Sequence, residues 1–128
     1  MIPTGMDQGV DHMDQDVEQQ IRAGLDRVRK RFLAQLVDQL GELDELWSEV
    51  KLDSDPDDHV LVASSHILHK ISGAAGTLGL AELGDAARAC ETAILGHRRV
   101  DRPDDVQAIF RTLGIFAATA ESVLAPQD

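Results

Sequence analysis

His69-Lys70-Ile71-Ser72-Gly73-Ala74-Ala75-Gly76-Thr77-Leu78-Gly79 is the stretch from which the rest of this chain can be read. It places a histidine on a helix, then a glycine one turn later and another about two turns later. Glycine costs a helix interior about 1 kcal/mol relative to alanine, so two of them beside one imidazole need a reason. Close approach supplies one: a bulky partner reaching that ring would be blocked by side chains at the next two turns. At about 100° per residue, Ile67, Ile71, Ala74 and Leu78 cluster on one side of this helix, roughly 170° from His69. The ring is therefore expected to face away from the core, on a face shared with Val62, Ser65, His66, Ser72, Gly73 and Gly76. A solvated imidazole is largely neutral at pH 7 and acts as a nucleophile without an adjacent base.

Outward from this segment, the chain reads as four helices. Leu25, Val28, Phe32, Leu36, Leu40, Leu43, Trp47 and Val50 recur at three- and four-residue steps and predict a first long helix over residues 25–50. A short lead-in helix is expected to start near Asp14. Residues 1–13, with Gly and Pro and no period, read as a flexible tail. Asp55-Pro56-Asp57-Asp58 predicts the second helix start, with Asp55 as the capping carboxylate and Pro56 at the first helical position. Gly79 suits a left-handed cap that ends it. Leu80, Leu83, Ala87, Cys90 and Ile94 line the third helix, and Gly96-His97-Arg98-Arg99 predicts a flexible break. Pro103-Asp104-Asp105 repeats the start signal before a fourth stripe running from Val106 to Val123. Short connections between long helices imply antiparallel neighbours. The expected fold is all-α, an antiparallel four-helix bundle over residues 14–128 with a short N-terminal lead-in helix.

Composition narrows the function classes. The 128 residues suit one core, and 43% hydrophobic with 27% charged residues is a globular balance. Twelve basic against 23 acidic residues give a net charge of −11, which repels phosphate backbones. The basic clusters Arg27–Arg31 and His97–Arg99 lack interleaved aromatics, so no nucleic-acid partner is expected. No membrane span or secretory leader is expected either, and the single cysteine, Cys90, fits a reducing, cytoplasmic setting as a buried structural thiol. No Walker loop or nucleotide site is present in the sequence. His66 and His69 have a spacing that could share a metal, but no Glu-x-x-His or HExxH pair accompanies them, so no metal site is assigned.

Residues 66–79 resemble the phosphoacceptor motif of histidine-containing phosphotransfer (HPt) domains. The pattern is His69, any residue, aliphatic Ile71, a polar or small residue, Gly73, two small residues, then the apolar–glycine pair Leu78-Gly79. A looser helix pattern extends the resemblance over about residues 25–124. The family often carries Lys three residues after the histidine; here that position is Ser72, and Lys70 sits beside His69 instead. The resemblance implies that His69 accepts a phosphoryl group from an aspartyl-phosphate receiver or hybrid histidine kinase and passes it to a response-regulator receiver. His66, Lys70, Ser72, Gly73 and Gly76 are then the phosphoryl environment and docking surface. It further implies a monomeric carrier with no cofactor of its own, Mg²⁺ belonging to the partner receiver. The alternative is a degenerate module that docks a receiver without being phosphorylated, a reading that Ser72 keeps open.

Overall fold

The structure, a computed structural model, describes the backbone of residues 4–51, 54–100 and 104–126, and the side chains of residues 15–51, 54–99 and 106–126. Four helices follow in order: α1 (Thr4–Trp47), α2 (Asp58–Thr77), α3 (Ala81–Val100) and α4 (Asp104–Leu124). They form two compact units. One holds residues up to Phe32, which is the N-terminal part of α1; the other, from Leu33, holds the rest of α1 with α2, α3 and α4.

The second unit is an antiparallel bundle whose register can be read from pairs of touching residues. Arg98 meets Asp58, His69 meets Glu91, and Gly84 lies against Ala75, so residue numbers rise along α3 as they fall along α2. Trp47, half-buried at the end of α1, ties its helix to two others. Its Nε1 donates to Ser64 Oγ of α2 at 2.8 Å, and its ring meets Phe110 of α4 edge-on at 5.6 Å. The core comprises Leu36, Leu43, Leu61, Leu68, Ile71, Leu83, Ala87, Ile94, Ile109 and Phe116, with others around them. Burying a side chain of Leu, Ile or Phe size stabilises by about 1.5–3 kcal/mol.

Several expectations need correction. The lead-in segment and first helix are one continuous helix, and residues 4–13 of the expected tail belong to it. No proline falls between Thr4 and Trp47, and propagating a helix needs only one new hydrogen bond per residue once a strong periodic segment has nucleated it. Residues 1–3 lie outside the described residues. Leu25 and Val28, expected in the core, are exposed. At α2, Asp57 rather than Asp55 is the cap; its ψ of 147° is extended and its side chain makes no capping bond. Pro56 therefore precedes the helix instead of opening it. The first helical residue, Asp58, faces the positive dipole end and accepts from Arg98 Nε at 2.8 Å. That guanidinium holds the Asp58 carboxyl below its usual range.

The break expected at Gly96–Arg99 is absent: α3 continues through it to Val100. His97 is buried and Arg98 is held by Asp58, so both residues anchor the last turn. Pro103 of the fourth start signal lies outside the described residues, and α4 is described from Asp104. Gly79 has φ +75° and closes α2 by donating to Gly76 O, while Leu80 N donates to Ala75 O at 2.9 Å. This pairing satisfies the helix's last carbonyls, and a left-handed residue makes it possible.

α3 lies close to α2 at Gly84. A Cβ built there would sit 3.4 Å from Ser72 O and 3.7 Å from Ala75 Cβ, room for a methyl group and nothing larger. Gly84→Ala is expected to fold with stability unchanged or slightly raised, whereas Gly84→Leu should lose about 1–3 kcal/mol from overpacking; urea unfolding of both variants checks this. Cys90, fully buried on α3, has its thiol pushed up to about 11 by burial. It is expected to stay unmodified by a thiol reagent at pH 8 in the native protein and to react once the chain is unfolded in urea.

Candidate functional site

The site is built where α2 passes α3. The residues that α2 buries are Leu61, Ser64, Ser65, Leu68, Ile71, Ser72 and Ala75. Their mean direction lies about 100° from His69, not the 170° expected from the large apolar residues alone. Ala74, counted with the core in that projection, is exposed, and Ile67 and Leu78 are only half-buried. The physical reason is that small serines pack between helices as well as aliphatics do when their hydroxyls are satisfied. Ser65 Oγ donates to Val62 O at 2.8 Å and Ser72 Oγ to His69 O at 3.1 Å.

This rotation moves His69 from the outer crest of α2 to its shoulder beside α3. The side chain is still 76% exposed, but its Nδ1 lies 2.9 Å from Glu91 Oε2, and Glu91 is only 16% exposed. A carboxylate can only accept, so Nδ1 carries the proton and donates. In the neutral ring the other nitrogen, Nε2, then keeps its lone pair.

Gly73 and Gly76 form the open floor beside the ring: a Cβ added at either would meet nothing within 4 Å. They are exposed, and the tight helix crossing belongs to Gly84. His66 and Lys70 are also exposed, flanking His69 on α2. Ser72 departs from its expected place in the phosphoryl environment. It is buried on the α3 side of α2, and its hydroxyl is spent on the helix backbone. Thr77 likewise donates to Gly73 O at 3.2 Å, although it remains exposed. The structure thus groups His69, Lys70, Gly73 and Gly76 with His66 one turn upstream, and sets Ser72 beneath them.

Glu91 is the site residue that sequence reasoning missed. It lies seven residues after Gly84, hence about two turns along the same side of α3. Pairing it with His69 requires the α2–α3 register, which periodicity along one helix does not contain. Among the described residues no group of three or more His, Cys, Asp or Glu side chains is arranged to hold a metal. No described helix is long and apolar enough to cross a membrane.

Replacing Glu91 with Ala is expected to abolish the Nδ1–H preference of the His69 ring without altering the fold. Long-range ¹H–¹⁵N correlation spectra of the imidazole, compared between native protein and Glu91→Ala, give the tautomer directly. An unchanged Nδ1–H form in the variant would show that Glu91 does not set it.

Comparison with known proteins places the site in context. A sequence model of the Hpt domain family matches residues 27–123, a span that contains α2, α3 and most of α4. Neither curated proteins nor solved structures yield a match.

Proposed function

From the premise that this chain belongs to the Hpt domain family, we propose that it is a phosphorelay carrier whose phosphoacceptor is Nε2 of His69. The observation that carries this reading is the exposed, carboxylate-tethered ring standing beside the bare surface of Gly73 and Gly76. The donor is an aspartyl phosphate on a receiver domain, or a hybrid histidine kinase, and the acceptor is an aspartate of a response-regulator receiver. The setting we propose is cytoplasmic.

The step follows from the tautomer. The Nε2 lone pair attacks the phosphorus in line with the aspartyl oxygen; the N–P bond forms as the P–O bond breaks, and the aspartate leaves as a carboxylate. Because Nε2 carries no proton beforehand, none has to leave. The ring gains positive charge as it bonds phosphorus, and the Glu91 carboxylate against Nδ1–H stabilises that charge where it develops. Return transfer reverses the sequence. Phosphoryl transfer depends mainly on positioning and on neutralising the equatorial oxygens. Lys70 contributes positive potential from the adjacent position, and the receiver supplies its own Mg²⁺. Ser72 is not part of this environment, since its hydroxyl faces the backbone. The carrier role needs no nucleotide site.

Incubating the protein with a phosphorylated receiver and Mg²⁺ is expected to give an acid-labile, base-stable phosphoryl adduct that is absent in His69→Gln. Glu91→Ala should slow transfer about a hundredfold, the lower end of the loss for removing one group that stabilises developing charge. Gly76→Leu, which has room to fold, should slow it by a similar factor by obstructing the receiver. A stable receiver complex without any transfer would instead identify a docking module. An adduct that survives in His69→Gln and disappears in His66→Gln would move the acceptor one turn upstream.

A further inference from the structure

We propose that this chain forms a two-fold symmetric dimer in which the N-terminal part of α1 pairs antiparallel with the same segment of a second copy. The resemblance to HPt domains implied a monomer, but the surface of this helix argues otherwise. Val17, Ile21, Leu25 and Val28 are each between 50% and 56% exposed. At about 100° per residue they fall within about 80° of one another, so they make one continuous stripe about 17 Å long. Single exposed apolar side chains are normal on a protein surface; four aligned on one helix mark a face for a partner.

Charge identifies the partner and its direction. The acids Asp16 and Glu18 precede the middle of the stripe, with no Lys or Arg beside them. Arg22, Arg27, Arg29, Lys30 and Arg31 follow it, against the one acid Asp26. A parallel second copy would set acid against acid and base against base. An antiparallel copy sets Asp16 and Glu18 of each helix against the basic stretch of the other.

The register also closes. With Ile21 set against Leu25 of the second copy, and Leu25 against its Ile21, Val17 and Val28 fall opposite each other to within one residue. A two-fold axis perpendicular to both helices makes each flank face the same flank of the other copy. Glu18 and Arg29 share a flank, about 20° apart around the helix. In this register each Glu18 lies within one residue, about 1.5 Å along the axis, of Arg29 in the second copy. The two symmetric pairs frame the apolar seam, and such an isologous contact satisfies both copies at once. The dimer holds whether or not His69 carries phosphate.

Sedimentation equilibrium of the full chain across a range of concentrations tests it. The expected result is a reversible species of twice the 13.9 kDa chain mass. Leu25→Asp replaces an exposed residue and should leave the circular dichroism spectrum unchanged while weakening association on the order of a hundredfold. Glu18→Arg and Arg29→Glu should each weaken it roughly three- to tenfold, and the two together should restore it, because the pair is regenerated with its signs exchanged. A native chain that stays monomeric throughout, or a dimer that tolerates Leu25→Asp, overturns the proposal. Single reversals that tighten association, or a double reversal no tighter than either single one, overturn the antiparallel register.

Discussion

α3 can lie against α2 at this distance because residue 84 carries no side chain larger than a methyl group, and the geometry of the site follows from that contact. With Gly84 seated over Ser72 O and Ala75, the antiparallel run of the two helices brings Glu91 level with His69 two turns further on. The same contact explains why Ser72 is buried and why its hydroxyl turns to the carbonyl of His69. A carboxylate partner for the imidazole is therefore a product of helix packing. Neither residue reaches it through a loop: His69 stands on α2 and Glu91 on α3.

Openness and closeness are divided between different glycines. Gly73 and Gly76 have empty space where their side chains would be, whereas Gly84 has a neighbour's backbone. All three carry the same entropic cost in a helix, yet only Gly84 recovers it through intramolecular packing. Gly41, Gly96 and Gly114 have equally open surroundings, so what sets Gly73 and Gly76 apart is their place beside the exposed His69 ring.

Much of this was legible before the coordinates. The histidine run, the positions of α2, α3 and α4, the left-handed Gly79 and the buried Cys90 all follow from local rules of spacing and capping. The errors have separate physical causes. Projecting large apolar residues alone turned the core of α2 too far from His69, because Ser64, Ser65 and Ser72 read as polar while packing as small interior residues. Gly96–Arg99 reads as a break because glycine and cations resemble a helix end, but a buried His97 and an ion pair from Arg98 to Asp58 hold the turn together. Glu91 could not be found from α3 alone, since it lies beside the apolar stripe like any flanking acid. Its partner is 22 residues away, and only the helix register connects them.

The tether at Nδ1 also bears on stereochemistry. An imidazole this open to water ordinarily spins about its Cβ–Cγ bond and offers either edge to an incoming reagent. Held by one short contact to a carboxylate that is itself mostly enclosed, the His69 ring has a preferred heading. A solvent-facing group thereby favours one edge over the other, a bias usually met in interior side chains.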